Sequence, residues 1–308
     1  WNCAWVNGEP ITLPDTIPVY NPATGAQIGE VPKGGEALTS DAIDAAWQAF
    51  PNWSQRTGVE RAAYLNDWAD RLSHNREVLG ELMSTEQGKP VAEAIGEIDV
   101  SIDFIRWYAE EGKRIYGDVL PVSKPDMRLT VTKQPIGVAA LIPPWNFPAA
   151  MVARKVAPAL AAGCTVILKP ARQTPLIAIA LFCHLLETGL PAGVANLVTG
   201  SAREIGQTLL DDARVRKLSF TGSTEVGKQL LRGSAAHVKR LSLELGGNAP
   251  VIVFPDANLD QVADAIISNK FENCGQVCNG INLIYVHETV RATLTKKLSD
   301  RVQQLVVG

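Results

Sequence analysis

The sequence predicts an α/β fold organised around a doubly wound parallel sheet, followed by a shorter second α/β unit. Three observations carry this. Between residues 136 and 245, short β-branched runs alternate with helical stretches, the signature of strands joined by crossover helices. The stretch from Thr174 to Gly189 has helix punctuation, with Thr174 as N-cap, Pro175 in the first turn and Gly189 past the end. At 308 residues and 46% hydrophobic, the chain can bury a sizeable core and is long enough for two or more domains.

In chain order, the N-terminal part carries turn signals, "VNGEP" and "NPATG". Residues 41 to 112 hold helical periodicity with charged faces. "DAIDAAWQAF", "ERAAYLNDWADRLSHNREVLGELMSTEQG" and "PVAEAIGEIDVSIDFIRWYAEEG" read as three helices, the second ending near Gly88 and the third opening with Pro90. The register then changes, and "RLTVTK" alternates like a half-exposed strand of an arm or sheet edge. A strand is expected at 136 to 142, a helix near 148 to 162, then strand "CTVILK" and the helix after Thr174. Strand "NLVT", a helix from Ala202, strand "RKLSFT", a helix from Ser223 and strand "RLSLEL" complete the sheet. Near Gly246-Gly247 a new unit begins: strand "PVIVF", a helix from Asn258, a cysteine loop, strand "NLIYV" and a helix from Val290.

Composition excludes several classes of function. Lys and Arg number 29 against 32 acidic residues, and a net charge of −3 offers no footprint for nucleic acid or an anionic membrane surface. The most apolar stretch is broken by Pro143, Pro144, Arg154 and Lys155, so no clean membrane span is expected. Five scattered cysteines, an odd number, do not read as a disulfide framework and fit a reducing compartment, the cytoplasm. A chain that starts at Trp1 and stops at Gly308 just after an amphipathic segment is expected to be part of a longer protein.

Four short motifs could carry chemistry. "LSFTGSTEVGKQLL" puts Gly222 and Ser223 at a strand-to-helix turn, where free N–H groups can face a pyrophosphate. Taken alone, it reads better as a tight turn with a serine N-cap. "VILKPARQTP" ends another strand with Lys169 and Arg172, cations suited to a nucleotide's ribose or phosphate but, taken alone, reading better as the surface charges of a solvated loop. In "FENCGQVCNG", Cys274 and Cys278 lack companions at zinc-ligand spacing and are not a CxxC pair, so no metal site is expected. A lone nucleophile or a small buried apolar residue remains. "LSLELGGNAP" ends a strand with Glu244, flanked by leucines. Partial desolvation there would raise its pKa toward that of a general base, with a strand-end capping carboxylate as the competing reading.

"IPPWNFP", "LKPARQTP", "GLPAGVANLVTG", "FTGSTEVG", "LELGGNAPVIVFPDANL" and "NCGQVC" occur in this order along the chain. In order and spacing they resemble the NAD(P)-dependent aldehyde dehydrogenase superfamily, across all 308 residues. "EQGKPVAEAIGEI", "RWYAEEGKRIYGD" and "KQPIGVAA" are most similar to succinate-semialdehyde dehydrogenases within it. The resemblance implies a Rossmann-type cofactor domain over residues 1–114 and 135–245 and the first part of an oligomerisation arm at 115–134. An incomplete α/β catalytic domain would follow at 246–308. It implies Cys278 as nucleophile, with Cys274 a bystander, Asn146 as an oxyanion donor together with the Cys278 N–H, and Glu244 as base for the thiol or the deacylating water. Lys169 would hold the adenosine ribose, Gly222 and Ser223 the pyrophosphate, Trp145 the cleft wall and Gly246 the nicotinamide side. Arg172 stands where NAD-preferring relatives often carry glutamate, which implies NADP as preferred cofactor over NAD.

Arg154 matches one of two arginines that hold a semialdehyde's far carboxylate, but Glu272 stands at the other. "GQVCN" is also similar to lactaldehyde dehydrogenases. Gly280, Leu283 and Pro143 replace a second cysteine, an arginine and a threonine common in relatives. The family's later Glu-x-Phe-Gly-Pro motif and C-terminal strand lie outside these residues, and a homodimer or homotetramer is implied only for the full-length protein. The substrate implied is a small aldehyde, such as succinate semialdehyde. The alternative is a truncated, non-catalytic nucleotide-binding or subunit-interaction protein. An acylating enzyme releasing a CoA thioester is disfavoured by Glu244.

Overall fold

Alternating strands and helices do form the body of the protein. The computed structural model describes residues 2–307; Trp1 and Gly308, the outer limits of the expected cofactor and catalytic domains, lie outside the described residues. In chain order the elements begin with β1 (Ala4–Val6), β2 (Glu9–Ile11), β3 (Thr16–Tyr20), β4 (Gln27–Pro32), α1 (Glu36–Ser54), α2 (Gly58–His74), α3 (Arg76–Gln87) and α4 (Val91–Glu111). Then come β5 (Asp118–Leu120), β6 (Leu129–Val131), β7 (Val138–Ile142), α5 (Ala150–Ala161), β8 (Thr165–Leu168), α6 (Pro175–Leu186), β9 (Ala195–Leu197) and α7 (Ala202–Asp211). They end with β10 (Val215–Thr221), α8 (Thr224–Ser234), β11 (Arg240–Glu244), β12 (Val251–Val253), α9 (Leu259–Phe271), β13 (Ile284–Val286) and α10 (Glu288–Val302). The chain divides after Glu244 into two compact units.

The first unit is built on a seven-stranded sheet in the order β11-β10-β7-β8-β9-β1-β2. Strands β7 to β11 pair in parallel, whereas β1 joins β9 and β2 antiparallel. The chain moves outward from β7 through β8 to β9, then returns to the other side of β7 for β10 and β11. The crevice between β7 and β10 is therefore the switch point at which such sheets bind ligands. β7 and β8 read as continuous apolar runs because both faces of the sheet are covered.

The core lies between this sheet and α2, α4, α5 and α6, with Trp68, Leu72, Ile98, Ile105, Val156 and Phe182 all nearly inaccessible. The Trp68 indole N–H donates to Leu181 O at 2.9 Å, so this indole is buried with its polar atom satisfied. By contrast β5 and β6 form an isolated antiparallel hairpin whose residues are all exposed. No helix among the described residues is long and apolar enough to cross a membrane.

Two expectations are corrected and one is extended. The second helix of the 41–112 block is two helices, α2 and α3. Asn75 leaves the helical conformation (φ −109°, ψ 14°) and its Nδ2 donates to Arg71 O at 2.9 Å, closing α2 by competing for its last carbonyls. The N-terminal turn signals fall at turns, Asn7-Gly8 and residues 22–24, and these turns lie among four short strands that the sequence reading did not assign, although β3 alternates exposed and buried residues. Thr174 makes no side-chain cap on α6. Glu86 from α3 caps it instead, accepting from Leu176 N (2.6 Å) and Ile177 N (2.9 Å), a contact 90 residues away in sequence.

The second unit is small. β12 and β13 pair in parallel, and α9 packs on α10 over Val253, Ala263 and Leu294.

Candidate active site

The strand ends of the first unit carry most of the site residues expected from the sequence. Register pairs Leu141 with Leu168, Ile142 with Phe220 and Thr221 with Glu244, so β7, β8, β10 and β11 end on one edge. Leaving that edge are the loop with Trp145 and Asn146, the turn with Lys169 and Arg172, and the turn with Gly222 and Ser223. These predicted residues share one edge of one sheet.

After β10, the Gly222 N–H donates to Glu244 O at 3.0 Å, and a Cβ on Gly222 would meet the Phe220 ring at 2.5 Å. Any larger residue would displace the turn or the Phe220 ring. Ser223 Oγ accepts from Val226 N at 3.3 Å, so the turn is a serine N-cap that opens α8. Thr221 Oγ1, just before it, is buried without a hydrogen-bond partner among the described residues.

Lys169 and Arg172 differ in setting. Lys169 is buried and its Nζ donates to Pro170 O at 3.1 Å. Burial pushes its ammonium down to about 8. Arg172 is exposed. A desolvated lysine, an orphaned threonine hydroxyl and a glycine turn opening a helix together fit a dinucleotide along this edge.

Glu244 is exposed, which corrects the expectation of partial desolvation: Leu241 and Leu243 alternate to one face of β11, and Arg240, Ser242 and Glu244 stand exposed on the other. Arg154 on α5 is exposed, with its guanidinium carbon 4.3 Å from the Phe104 ring centroid. Beside it, Lys155 is buried and donates to Ser219 Oγ at 3.0 Å. Burial pushes Lys155 down to about 8, against the pull of Glu244. Sequence reasoning passed over Lys155. The available signal was a charge on the apolar face of "AAMVARKVAPAL".

It also passed over Lys89 and Glu97, a buried ion pair with side chains 1% and 3% exposed. Lys89 Nζ donates to Glu97 Oε2 and, at 3.0 Å, to Asn146 O. Glu97 Oε1 accepts from Ala149 N (2.9 Å) and Ala150 N (3.0 Å). Burial pushes the Glu97 carboxyl up, against the pull of Lys89 and the two amides. The one local sign was a lysine immediately before the helix-opening Pro90.

In the second unit, Cys278 is exposed in a turn closed by Gly280 N donating to Val277 O at 3.1 Å. Exposure removes the reading of Cys278 as a small buried apolar residue. The approach to the turn is strained: Asn273 (φ 50°) and Cys274 (φ 56°) are both left-handed, ahead of Gly275 (φ 79°). Asn273 Nδ2 donates to Gln276 O (3.2 Å) and Gln276 Nε2 donates back to Asn273 O (3.1 Å), which holds this conformation. A Cβ on Gly247 would lie 3.7 Å from Cys278 O, an ordinary contact, so this segment runs beside the cysteine turn. Gly246 and Glu272 are exposed.

Residues 5–308 match the model of the aldehyde dehydrogenase family. Glutarate-semialdehyde dehydrogenase of Pseudomonas putida is 53% identical over 307 residues, 99% of this chain and 64% of that protein. Succinate-semialdehyde dehydrogenase (NADP(+)) GabD of Escherichia coli is 52% identical over the same shares of the two chains. The crystal structure of succinate-semialdehyde dehydrogenase from Burkholderia pseudomallei superposes with a TM-score of 0.99 at 48% identity, covering 100% of this chain and 64% of that one. The chain thus spans about 64% of the length of these relatives.

Proposed function

Because this chain belongs to the aldehyde dehydrogenase family, we propose that it oxidises a small semialdehyde, such as succinate or glutarate semialdehyde, to the acid. NADP is the preferred cofactor, and the setting is the cytoplasm. The observation that supports this reading best is the sheet edge carrying Lys169, Arg172, Gly222 and Ser223, together with an exposed Cys278 on a strained turn. Identity of 53% and 52% to two semialdehyde dehydrogenases supports the substrate class.

The roles follow from the chemistry of each group. The Cys278 thiolate attacks the aldehyde carbon, and the oxyanion that forms is stabilised by the Asn146 side-chain amide and the Cys278 N–H. The nicotinamide, when bound, supplies the acceptor for the hydride leaving that carbon. The thioester left on Cys278 is opened by a water that Glu244 deprotonates, which releases the acid and returns the thiol. Arg172, exposed and always charged, pairs with a 2′-phosphate, and Lys169 and the α8 N-terminus hold the ribose and pyrophosphate. Trp145 and Gly246 line the nicotinamide side, and Arg154 receives the distal carboxylate. Residues 115–134 serve as an arm for assembly into a homodimer or homotetramer of the full-length protein.

The test is NADP reduction with succinate semialdehyde by the chain and by its Cys278→Ala variant. Turnover is expected in the first and a loss of at least about a thousandfold in the second. Turnover that survives the substitution overturns the role of Cys278. Absence of turnover alongside retained NADP binding favours the non-catalytic alternative.

A further inference from the structure

The Lys89–Glu97 pair grips one short segment at four points. A lysine ammonium has three N–H donors. Here one meets Glu97 Oε2, one meets Asn146 O, and the ammonium stands 4.3 Å from the centroid of the Phe147 ring. The other oxygen of Glu97 takes the Ala149 and Ala150 amides, which sit at the positive end of α5. Pro148, between Phe147 and Ala149, has no N–H to offer. Asn146, Phe147, Ala149 and Ala150 are all held by one ion pair reaching in from the start of α4.

Such a pair is a poor device for stability alone. Two charges nearly out of water carry a large desolvation cost, and apolar side chains of similar volume often replace buried ion pairs without loss. Their directional contacts do something apolar packing does not: they set the height and tilt of the peptide carrying Asn146. Lys89 is itself fixed, its N–H donating to Gln87 Oε1 (2.9 Å) and its carbonyl accepting from Ser84 Oγ (2.6 Å). We propose that Lys89 and Glu97 are positioning residues, which hold the Asn146 amide where a developing oxyanion needs it. The inference rests on the reading of Asn146 as oxyanion donor.

The double variant Lys89→Met/Glu97→Gln removes both charges, keeps a carbonyl for the α5 amides and cuts the tether to Asn146. In the full chain it is expected to lower kcat by about 10- to 100-fold with KM little changed, as for a displaced reacting group. Placed in an Asn146→Ala background, the same pair is expected to add no further loss, because the tether then has nothing to position. Multiplicative losses overturn the inference while leaving Asn146 in its role. An Asn146→Ala variant with undiminished kcat overturns the reading of Asn146, and the inference with it. Hydrogen exchange of the peptide spanning residues 145–153 gives a readout independent of turnover. Faster exchange in the double variant is expected, and unchanged exchange overturns the tether.

Discussion

Lys169 and Arg172 leave the same turn, yet one is buried, with its ammonium held near pH 8, and the other stands in water. Only the exposed guanidinium is free to meet a doubly charged phosphate in bidentate fashion, so cofactor choice is argued at Arg172. Arg172→Glu is expected to lower kcat/KM for NADP at least about tenfold and to raise the relative preference for NAD, because a carboxylate repels the 2′-phosphate and accepts from a ribose hydroxyl. Steady-state kinetics with both cofactors check this, and an unchanged ratio moves the discrimination elsewhere. The places of Lys169, Arg172, Gly222 and Ser223 at strand ends were legible because strand, turn and helix start are adjacent in sequence, whereas their roles were implied only by the family resemblance. Lys89, Glu97 and Lys155 were not legible, since a charge on an apolar helix face or before a helix-opening proline does not say which surfaces packing will bring over it.

At the scale of elements, α3 and the start of α4 act as a rib that reaches two other parts of the fold. Glu97 caps α5, and Glu86 caps α6 with its carboxylate on the Leu176 and Ile177 amides. Burial pushes the Glu86 carboxyl up to about 8, against those amide donors. A carboxyl whose folded pKa lies above its unfolded value of 4.5 makes the folded state bind the extra proton. Its contribution to stability is fully present below about pH 4.5 and is lost as pH rises through 8. Glu86→Gln keeps an acceptor and cannot titrate. The stability of the parent relative to this variant is therefore expected to fall between pH 5 and 8, by about 1 kcal/mol per pH unit, in urea unfolding. A difference that does not vary with pH would show that Glu86 is ionised throughout. Thr174 looked like the α6 cap because it precedes a proline at the right spacing, but a capping residue 90 positions away competes in space, where sequence rules do not see it.

For the whole molecule, the two units differ in how much they bury. The first holds a continuous core from β3 to β9, whereas the second centres on Val253, Ala263 and Leu294. With stabilisation near 25 cal/mol per Å² of apolar burial, the smaller unit opens at lower free energy. Amides of α9 and α10 are expected to exchange faster than those of α5 and α6 when hydrogen exchange is followed peptide by peptide. Equal protection would mean that the units unfold as one. The sequence by itself determined the parallel sheet, the helix order after residue 136 and the turns that end each strand, because periodicity, glycine and proline act over a few residues. Tertiary structure alone decided that β1 and β2 extend the sheet antiparallel, that Glu244 on an edge strand stays in water, and that Lys89 and Glu97 face each other away from it. Those outcomes depend on which surfaces meet across long sequence separations, and burial, with the electrostatics that follows from it, exists only once they have met.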